Sequence, residues 1–225
     1  MQPHSTITLR IWDLPTRLFH WLLAACTIGL VVSAKVGGNA MVWHFRLGYV
    51  VLALLLFRLV WGFVGGYWSR FSSFFYSPAR ILRYMRGQGE AQDHVGHNPL
   101  GALSVFGLLG MLVLQVLTGL FSDDEIAFAG PLTRFVSGDW VSWATGLHKE
   151  VGQYLVMALV ALHVLAIVFY TVVKKESLVG PMISGDKTLT TPVPAARDDA
   201  AARVGALVVL LLCSALVAWI ASLGG

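Results

Sequence analysis

The chain is poor in charged residues, and this shortage already narrows what it can be. Charged residues make up 12% of its 225 positions, whereas soluble domains carry about 25%. Hydrophobic residues make up 56%, and the mean hydropathy is +0.71. These values exclude an ordinary soluble domain and predict a polytopic membrane protein. The net charge of +4 is small and does not indicate nucleic-acid binding.

Cysteine and several cofactor motifs are also scarce or missing. Cys26 and Cys213 each stand alone in an apolar run, with no CxxC or CxxCH. Neither a disulfide framework nor covalently attached haem is therefore predicted. No GxGxxG follows a strand, which excludes the usual nicotinamide and flavin sites. The first residues lack a basic region leading into an apolar core, so no cleavable signal peptide is expected.

Five apolar segments are present, each of the length that crosses a bilayer, about 20 residues. The predicted spans cover 18–36, 44–64, 99–121, 147–171 and 204–223. Pro15 is well placed to open the first helix, and Asn98 and Pro99 suit the N-cap and first position of the third. The GGN sequence at 37–39 predicts a turn between the first two spans.

The charges of the connecting loops indicate the orientation in the membrane. Loop 65–98 carries four arginines: Arg70, Arg80, Arg83 and Arg86. Basic loops lie on the cytoplasmic side. Loop 122–147 is mainly acidic and suits the outer face. We therefore expect a multi-pass protein of the bacterial inner membrane with a cytoplasmic N-terminus and a periplasmic C-terminus.

The spans define the predicted fold class, which is all-α. We expect a polytopic membrane helical bundle with a four-helix core in residues 1–175. A cytoplasmic linker rich in Pro, Asp and Ala follows at 176–202, and 203–225 form an additional C-terminal transmembrane helix. The fifth span has no acidic, basic or histidine residue between 204 and 223, so it is interpreted as a packing or anchoring helix.

Histidines inside or at the ends of the spans are the most informative residues. An ionisable side chain in hydrocarbon is costly and marks a functional site by default. His148 and His163 are separated by four α-helical turns plus roughly 60°, so they share one face about 22 Å apart. The predicted topology places His44 and His148 near the outer surface, and His20 and His163 toward the inner one.

Two histidine pairs at two depths favour two haem groups, each with two axial histidines. Such iron is low-spin and has no open position, which suits electron transfer. A single membrane histidine could equally be a satisfied polar core residue, but four on three helices favour ligation. The anionic haem propionates need cations, for which Arg17 is the inner candidate and Arg46 and Lys149 are the outer ones. The HxxH spacing of His94 and His97 could bind a metal, which is the less favoured interpretation.

Several motifs together resemble one family. They are WDLPTRLFHW, HFRLGYV, HNPLGALSV and LHKEVGQY, followed by ALHVLAIVFY and GPMISGDK, over roughly residues 8–187. This combination resembles the prokaryotic cytochrome b561 family, and more narrowly its nickel-hydrogenase-type b cytochromes. The resemblance implies a dihaem core with two haem b groups (protohaem IX) ligated by His20, His44, His148 and His163. It also implies electron transfer across the inner membrane between the quinone pool and a periplasmic c-type cytochrome or hydrogenase-like protein.

The sequence leaves other functions open. The chain could be an electron-transfer protein or the cytochrome b subunit of an oxidoreductase. A superoxide:quinone oxidoreductase would need a basic funnel from Arg46, Arg134 and Lys149, and the acidic neighbours weaken such steering. A non-haem metal transporter could use the same histidines, but transport sites cluster near the midplane, whereas these histidines separate by depth. We rank the three functions in that order.

Overall fold

A computed structural model describes residues 6–224, apart from the Ala91 side chain. The first five residues of the predicted core domain and Gly225 therefore lie outside the described part. The helices are α1 (Leu14–Val36), α2 (Met41–Val64), α3 (Pro78–Met85), α4 (Pro99–Leu120), α5 (Gly138–Gly146), α6 (Gln153–Val172), α7 (Val179–Ser184) and α8 (Ala200–Ser222). The strands are β1 (Ile7–Arg10) and β2 (Asp186–Leu189), and a π-helical turn, Leu147–Gly152, joins α5 to α6.

The predicted spans are confirmed. Within the described residues, five helical segments are long and apolar enough to cross a membrane: Leu14–Val36, Gly38–Val64, Pro99–Leu120, Gly138–Val172 and Ala200–Ser222. Half of the most apolar window of the second segment is buried, against 17% or less for the other four. The second segment, which contains α2, is therefore the most enclosed, while the other four contain few fully buried residues.

Short polar side chains fix where the helices begin. The Asp13 carboxylate accepts the amide of Thr16 (2.8 Å), and Asn98 Oδ1 accepts the amide of Gly101 (2.7 Å). Asp199 accepts the amide of Ala202 in the same way ahead of α8. Each contact satisfies an amide that has no partner inside the helix. The predicted N-cap role of Asn98 is confirmed.

Two loops contain helices that the sequence did not indicate. The arginine-rich loop 65–98 holds α3, which Ser77 caps and Pro78 opens. The acidic segment 122–147 holds α5, capped by Ser137, so the fourth span begins at Gly138 and not at Leu147. The predicted relation of His148 to His163 assumed a uniform α-helix. The π-helical turn at Leu147–Gly152 shows that this span is not uniform. The predicted turn at 37–39 is confirmed, because Gly37 and Gly38 have positive φ.

The chain divides into two compact units. The first unit comprises the described residues of 1–19 together with 58–106 and 163–207. The second comprises 20–57, 107–162 and 208–225, of which the structure describes all but the last residue. Each long helix of a predicted span contributes residues to both units.

The first unit contains a two-stranded antiparallel sheet, in which Ile7 pairs with Leu189 and Arg10 with Asp186. Part of the segment predicted as a linker, 176–202, is thus ordered as α7 and β2. The Arg10 guanidinium contacts Asp186 (2.6 Å) and Asp198 (2.5 Å), and Asp198 also accepts Arg203. The hydrogen bond to Asp186 raises the pKa of Arg10, against the opposing effect of burial.

A buried polar centre lies beside this sheet, also in the first unit. Asp13 is fully buried, and its carboxylate accepts Ser69 Oγ (2.7 Å) and the Trp61 indole N–H (3.3 Å). The carboxylate also stabilises the positive charge of Arg58, which is 3% exposed and lies over the Phe71 ring. A buried charge needs such compensation. Asp13 therefore supports both a helix start and a buried cation.

The second unit is held together by apolar packing. One cluster joins Val51 and Leu55 of α2 to Leu112 of α4 and Val156 of α6. Another joins Leu52 and Ala53 to Leu120 and to Val217 of α8. The fifth span thus packs on the enclosed helix α2 and on α4 within this unit.

We predict that Asp13→Ala lowers the free energy of unfolding by about 3 kcal/mol or more, because it removes the carboxylate that compensates a buried cation and accepts three buried donors. Denaturant titration of the detergent-purified protein, followed by far-UV circular dichroism, measures this change. Asp139→Ala removes an exposed carboxylate and is the matched control. Equal stability of the two variants would contradict the assigned role of Asp13.

Candidate functional site: a cavity between two histidines

The second unit contains a cavity of about 480 Å³, a volume within the range of small-molecule and cofactor sites. His44 of α2 and His148 of the π-helical turn both line it. Their ring centroids are 6.1 Å apart, and the ring planes are almost perpendicular at 86°. The structure therefore brings together the two histidines that the sequence placed near one membrane surface.

The His44 ring is held by α1. Its Nδ1 lies 3.0 Å from the carbonyl oxygen of Leu30 and 3.4 Å from Ser33 Oγ. The Ser33 hydroxyl donates to the carbonyl of Gly29, one turn earlier on its own helix (2.7 Å). Because a carbonyl can only accept, Nδ1 carries the proton and Nε2 is left with a free lone pair.

The His148 ring is held by α4 through the same arrangement. Its Nδ1 lies 2.9 Å from the carbonyl oxygen of Gln115 and 3.4 Å from Thr118 Oγ1. The Thr118 hydroxyl donates back to the carbonyls of Leu114 and Gln115. In both cases a hydroxyl three residues after the accepting carbonyl lies beside the ring. The two histidines therefore have the same tautomer, fixed in the same way.

This geometry fits one metal ion between two imidazoles. Metal–imidazole bonds are about 2 Å long, so two rings on opposite sides of one metal have centroids roughly 6 Å apart. Metal-ligating histidines almost always donate their other N–H to a carbonyl, carboxylate or water, as both rings do here. Among the described residues, no group of three or more His, Cys, Asp and Glu could hold a metal by itself. The donor set suits a metal whose remaining ligands come from a cofactor.

Glycines shape the space around the rings. Gly48 lines the cavity, and a Cβ there would meet no atom within 4 Å. A Cβ on Gly119 would lie 3.0 Å from His148 Cε1, so this glycine allows α4 to approach the ring.

Cations reach the cavity from two places. Lys149, an expected outer cation, lines the cavity and donates to the carbonyl of Asp123 (3.1 Å). Lys35 also lines the cavity and donates to Gln153 Oε1 (3.3 Å). It was not predicted from the sequence. Its position in the last turn of α1, directly before the glycine turn, is the signal that could have revealed it. Arg46 is not among the lining residues, and its guanidinium lies over the Trp43 ring.

The remaining candidate residues lie elsewhere. His20 belongs to the second unit and contacts the Trp21 ring, whereas His163 belongs to the first and lies 3.5 Å from Ser104 Oγ. Their pairing stays a prediction from the sequence. Arg17 Nη1 donates to the carbonyl of Ile183 (2.5 Å).

The HxxH histidines of the first unit face different neighbours. His94 contacts Glu176 (3.3 Å), while the His97 ring packs against Trp12 and Phe74. They belong to no group of three or more metal-binding side chains in residues 6–224. This arrangement does not support the alternative metal site.

An acidic loop closes one side of the cavity. Asp123, Asp124 and Phe128 line it, and the Phe128 ring lies 5.9 Å from that of Phe45. The Asp124 carboxylate accepts the amides of Ile126, Ala127 and Phe128 at 2.8–3.0 Å. These hydrogen bonds, the one from Phe128 above all, lower the pKa of Asp124. The charge of Asp124 therefore orders the loop.

Comparison with known proteins decides the family. The family model described as prokaryotic cytochrome b561 matches residues 11–185. The chain belongs to the prokaryotic cytochrome b561 family. It is accordingly a multi-pass electron-transfer protein of the membrane that carries haem b. The family membership expected from its motifs is confirmed.

The alignments of this cytochrome with its curated relatives cover most of the length of each relative. The probable Ni/Fe-hydrogenase B-type cytochrome subunit of Bradyrhizobium diazoefficiens is 25% identical over 215 residues, covering 80% of this chain and 86% of the relative. The probable Ni/Fe-hydrogenase 1 B-type cytochrome subunit of Escherichia coli K12 is 25% identical over 218 residues, covering 80% and 91%. The Rhodobacter capsulatus subunit is 26% identical, covering 79% and 80%. No solved structure matches the chain.

The lowered pKa of Asp124 predicts how the acidic loop responds to acid. Because the native pKa is below the unfolded value of about 3.9, the stabilising contribution is complete above about pH 4 and is lost as the pH falls through the native pKa. Hydrogen exchange of the amides of 126–128, corrected for intrinsic rates, should show protection that is constant near neutral pH and declines below about pH 4.

Asp124→Asn keeps an acceptor but not the charge, so it should protect these amides less and abolish this pH dependence. Protection that already declines near neutral pH would contradict the assignment.

Proposed function

We propose that this cytochrome transfers electrons across the bacterial inner membrane, between the quinone pool and a hydrogenase or c-type cytochrome on the periplasmic side. The observation that carries the proposal is the facing pair His44 and His148, each with Nδ1 bonded to a helix carbonyl and Nε2 available. When bound there, haem b supplies one-electron chemistry. Two histidine ligands leave no open position, which suits electron transfer.

The chain's own residues would hold the haem in three ways. His44 and His148 would ligate the iron, and their carbonyl partners would keep both rings oriented. Lys35 and Lys149 would neutralise the propionates at the cavity. Gly48 would leave room for the flat macrocycle, because no atom lies within 4 Å of a Cβ built there. Arg46 and Arg17 remain propionate partners predicted from sequence alone.

A second haem b is part of the proposal and rests on the sequence and the family. His20 and His163 were assigned to it by their predicted depth, and the motif resemblance assigns the same two residues. The predicted orientation, with a cytoplasmic N-terminus, likewise follows from the arginines of loop 65–98.

The names of the relatives support a hydrogenase as the partner. Several organisms have relatives named as Ni/Fe-hydrogenase B-type cytochrome subunits, at 25–26% identity in the three compared above. The acidic loop with Asp123 and Asp124 lies at the cavity and would meet a partner on that face. Because the sequence has no nicotinamide or flavin motif, the other end of the electron path would be a lipid-soluble carrier such as quinone, or another protein.

We predict that His148→Ala and His44→Ala each remove the same single haem b, because each leaves the iron with one protein ligand. A pyridine haemochrome assay and a reduced-minus-oxidised spectrum of the purified variants measure the haem content. The wild type should contain two haems per chain and either variant one. His94→Ala changes an exposed histidine outside the cavity and should keep both.

Filling the cavity provides an independent check. Gly48→Leu should displace the same haem, whereas Gly107→Leu, at an exposed position of α4 where a Cβ is also unobstructed, should retain it. Full haem content in His148→Ala and Gly48→Leu would show that this cavity does not hold haem.

Electron transfer is tested with the protein in sealed proteoliposomes. We expect a membrane-soluble quinol to reduce the haems of the wild type, and reduced haem to pass electrons to a water-soluble acceptor added on the periplasmic face. His148→Ala should no longer pass electrons to the water-soluble acceptor, but quinol should still reduce its remaining haem. Equal transfer by wild type and His148→Ala would contradict the proposed path.

A further inference from the structure

Gln115 forms two hydrogen bonds with His148, one through its backbone and one through its side chain. Its backbone carbonyl accepts the His148 ring N–H (2.9 Å), and its side-chain Nε2 donates to the His148 backbone carbonyl (3.0 Å). The ring and the backbone of one histidine are therefore both held by one residue of α4. A residue that is held at both ends has little freedom to rotate about χ1.

The π-helical turn provides the space for this contact. The His148 carbonyl accepts the amide of Gln153, five residues later, as well as the Gln115 side chain. Gly152 is buried in the same turn, and a Cβ built on it would overlap Gln115 Oε1. The absence of a side chain at 152 is thus what allows the Gln115 amide to reach His148. Single π-turns inside α-helices occur frequently at functional sites.

On the His44 side of the cavity, the position that matches Gln115 is a leucine. Leu30 has the position that matches Gln115, since its carbonyl accepts the His44 ring and Ser33 follows three residues later, as Thr118 does. A leucine side chain has no donor, so only the ring of His44 is fixed from that helix. The amide of Gln115 is therefore not required for the shared carbonyl arrangement.

The amide is also costly where it lies. Gln115 Oε1 is buried and accepts no hydrogen bond from the described residues. A buried acceptor without a partner costs about 1–3 kcal/mol. Packing alone would favour an apolar side chain at this place. The contact with His148 is the compensating interaction that the structure offers.

We propose that Gln115 is the positioning residue for the haem ligand His148, and that Gly152 is the glycine required for its contact. The inference rests on the proposed haem site between His44 and His148. Gln115 would set the orientation of the His148 ring, and through it the affinity and the redox potential of that haem, without itself touching the iron.

The experiment is a double-mutant cycle of Gln115→Ala and Gly152→Ala in the full-length holoprotein. Each single variant should weaken haem retention at this site by about 10-fold or more, the usual effect of removing a partner of a metal ligand. The loss of the double variant should be smaller than the sum of the two single losses, because the Cβ of Gly152→Ala can displace the Gln115 amide only where that amide is present. A Cβ at 152 also lies 3.0 Å from the Leu147 carbonyl. This contact is the same whether residue 115 is Gln or Ala, so it cancels from the coupling that the cycle measures.

Three readouts separate positioning from general damage. They are haem transfer to apomyoglobin, the midpoint potential of the haem, and the low-spin resonance signal, which depends on the angle between the two imidazole planes. Gln115→Met keeps the side-chain length without a donor and should change all three. Gln92→Ala, at an exposed glutamine, is the matched control and should change none. Far-UV circular dichroism verifies folding.

The outcomes distinguish this inference from the proposed function. If His148→Ala loses the haem but Gln115→Met retains the wild-type potential and resonance signal, only the positioning role is wrong. Additive losses in the cycle would overturn the role of Gly152, and unfolding of both Gln115 variants would assign Gln115 to structure. If His148→Ala keeps its haem, the proposed site itself fails.

Discussion

The hydrogen bond from an imidazole N–H to a helix carbonyl is the interaction on which the site depends. Inside hydrocarbon no water can satisfy this donor, so an unpaired N–H would be costly. Leu30 and Gln115 provide the acceptors, and the same bond leaves the second nitrogen of each ring available for a metal. This one hydrogen bond thus compensates the cost of burying the ring N–H, selects the tautomer and orients the ligand. The glycines and lysines around the cavity matter only because the two rings are already fixed.

Most of the fold could be predicted because a bilayer imposes simple rules on sequence. Span length, apolar composition and polar helix starts such as Asn98 are visible in single segments, and four of the five spans agree with the structure to within about six residues at each end. The fourth begins nine residues earlier than predicted. The misses have a common cause. The sheet pairs residues far apart in sequence, and α5 follows directly on an acidic loop, so neither has a local pattern that sets it apart. The π-helical turn accompanies a contact between His148 and Gln115, 33 residues apart, which no periodicity shows.

Some residues of the candidate site could likewise be predicted from the sequence, and others could not. His44 and His148 could be predicted because histidines are rare in membrane helices and the topology assigns them a depth. Their carbonyl partners could not, since every residue has a carbonyl and only the packing of α1 and α4 selects Leu30 and Gln115. Lys35 was missed because it resembles any lysine that ends a helix. Glycine is common in membrane helices, so only the contacts with His148 and Gln115 distinguish Gly119 and Gly152 from the other glycines.

The antiparallel pairing of β1 with β2 has a consequence for biosynthesis. Thr8 and Thr188 face each other across 180 residues of sequence. At synthesis rates of about 5–20 residues per second, the first strand is made roughly 10–35 seconds before its partner exists. Four of the five spans precede β2 in the chain, so they enter the membrane while Arg10 still lacks Asp186 and Asp198. Closing the sheet is therefore a late step of assembly, and a chain truncated before residue 186 has every proposed haem ligand but not this closure.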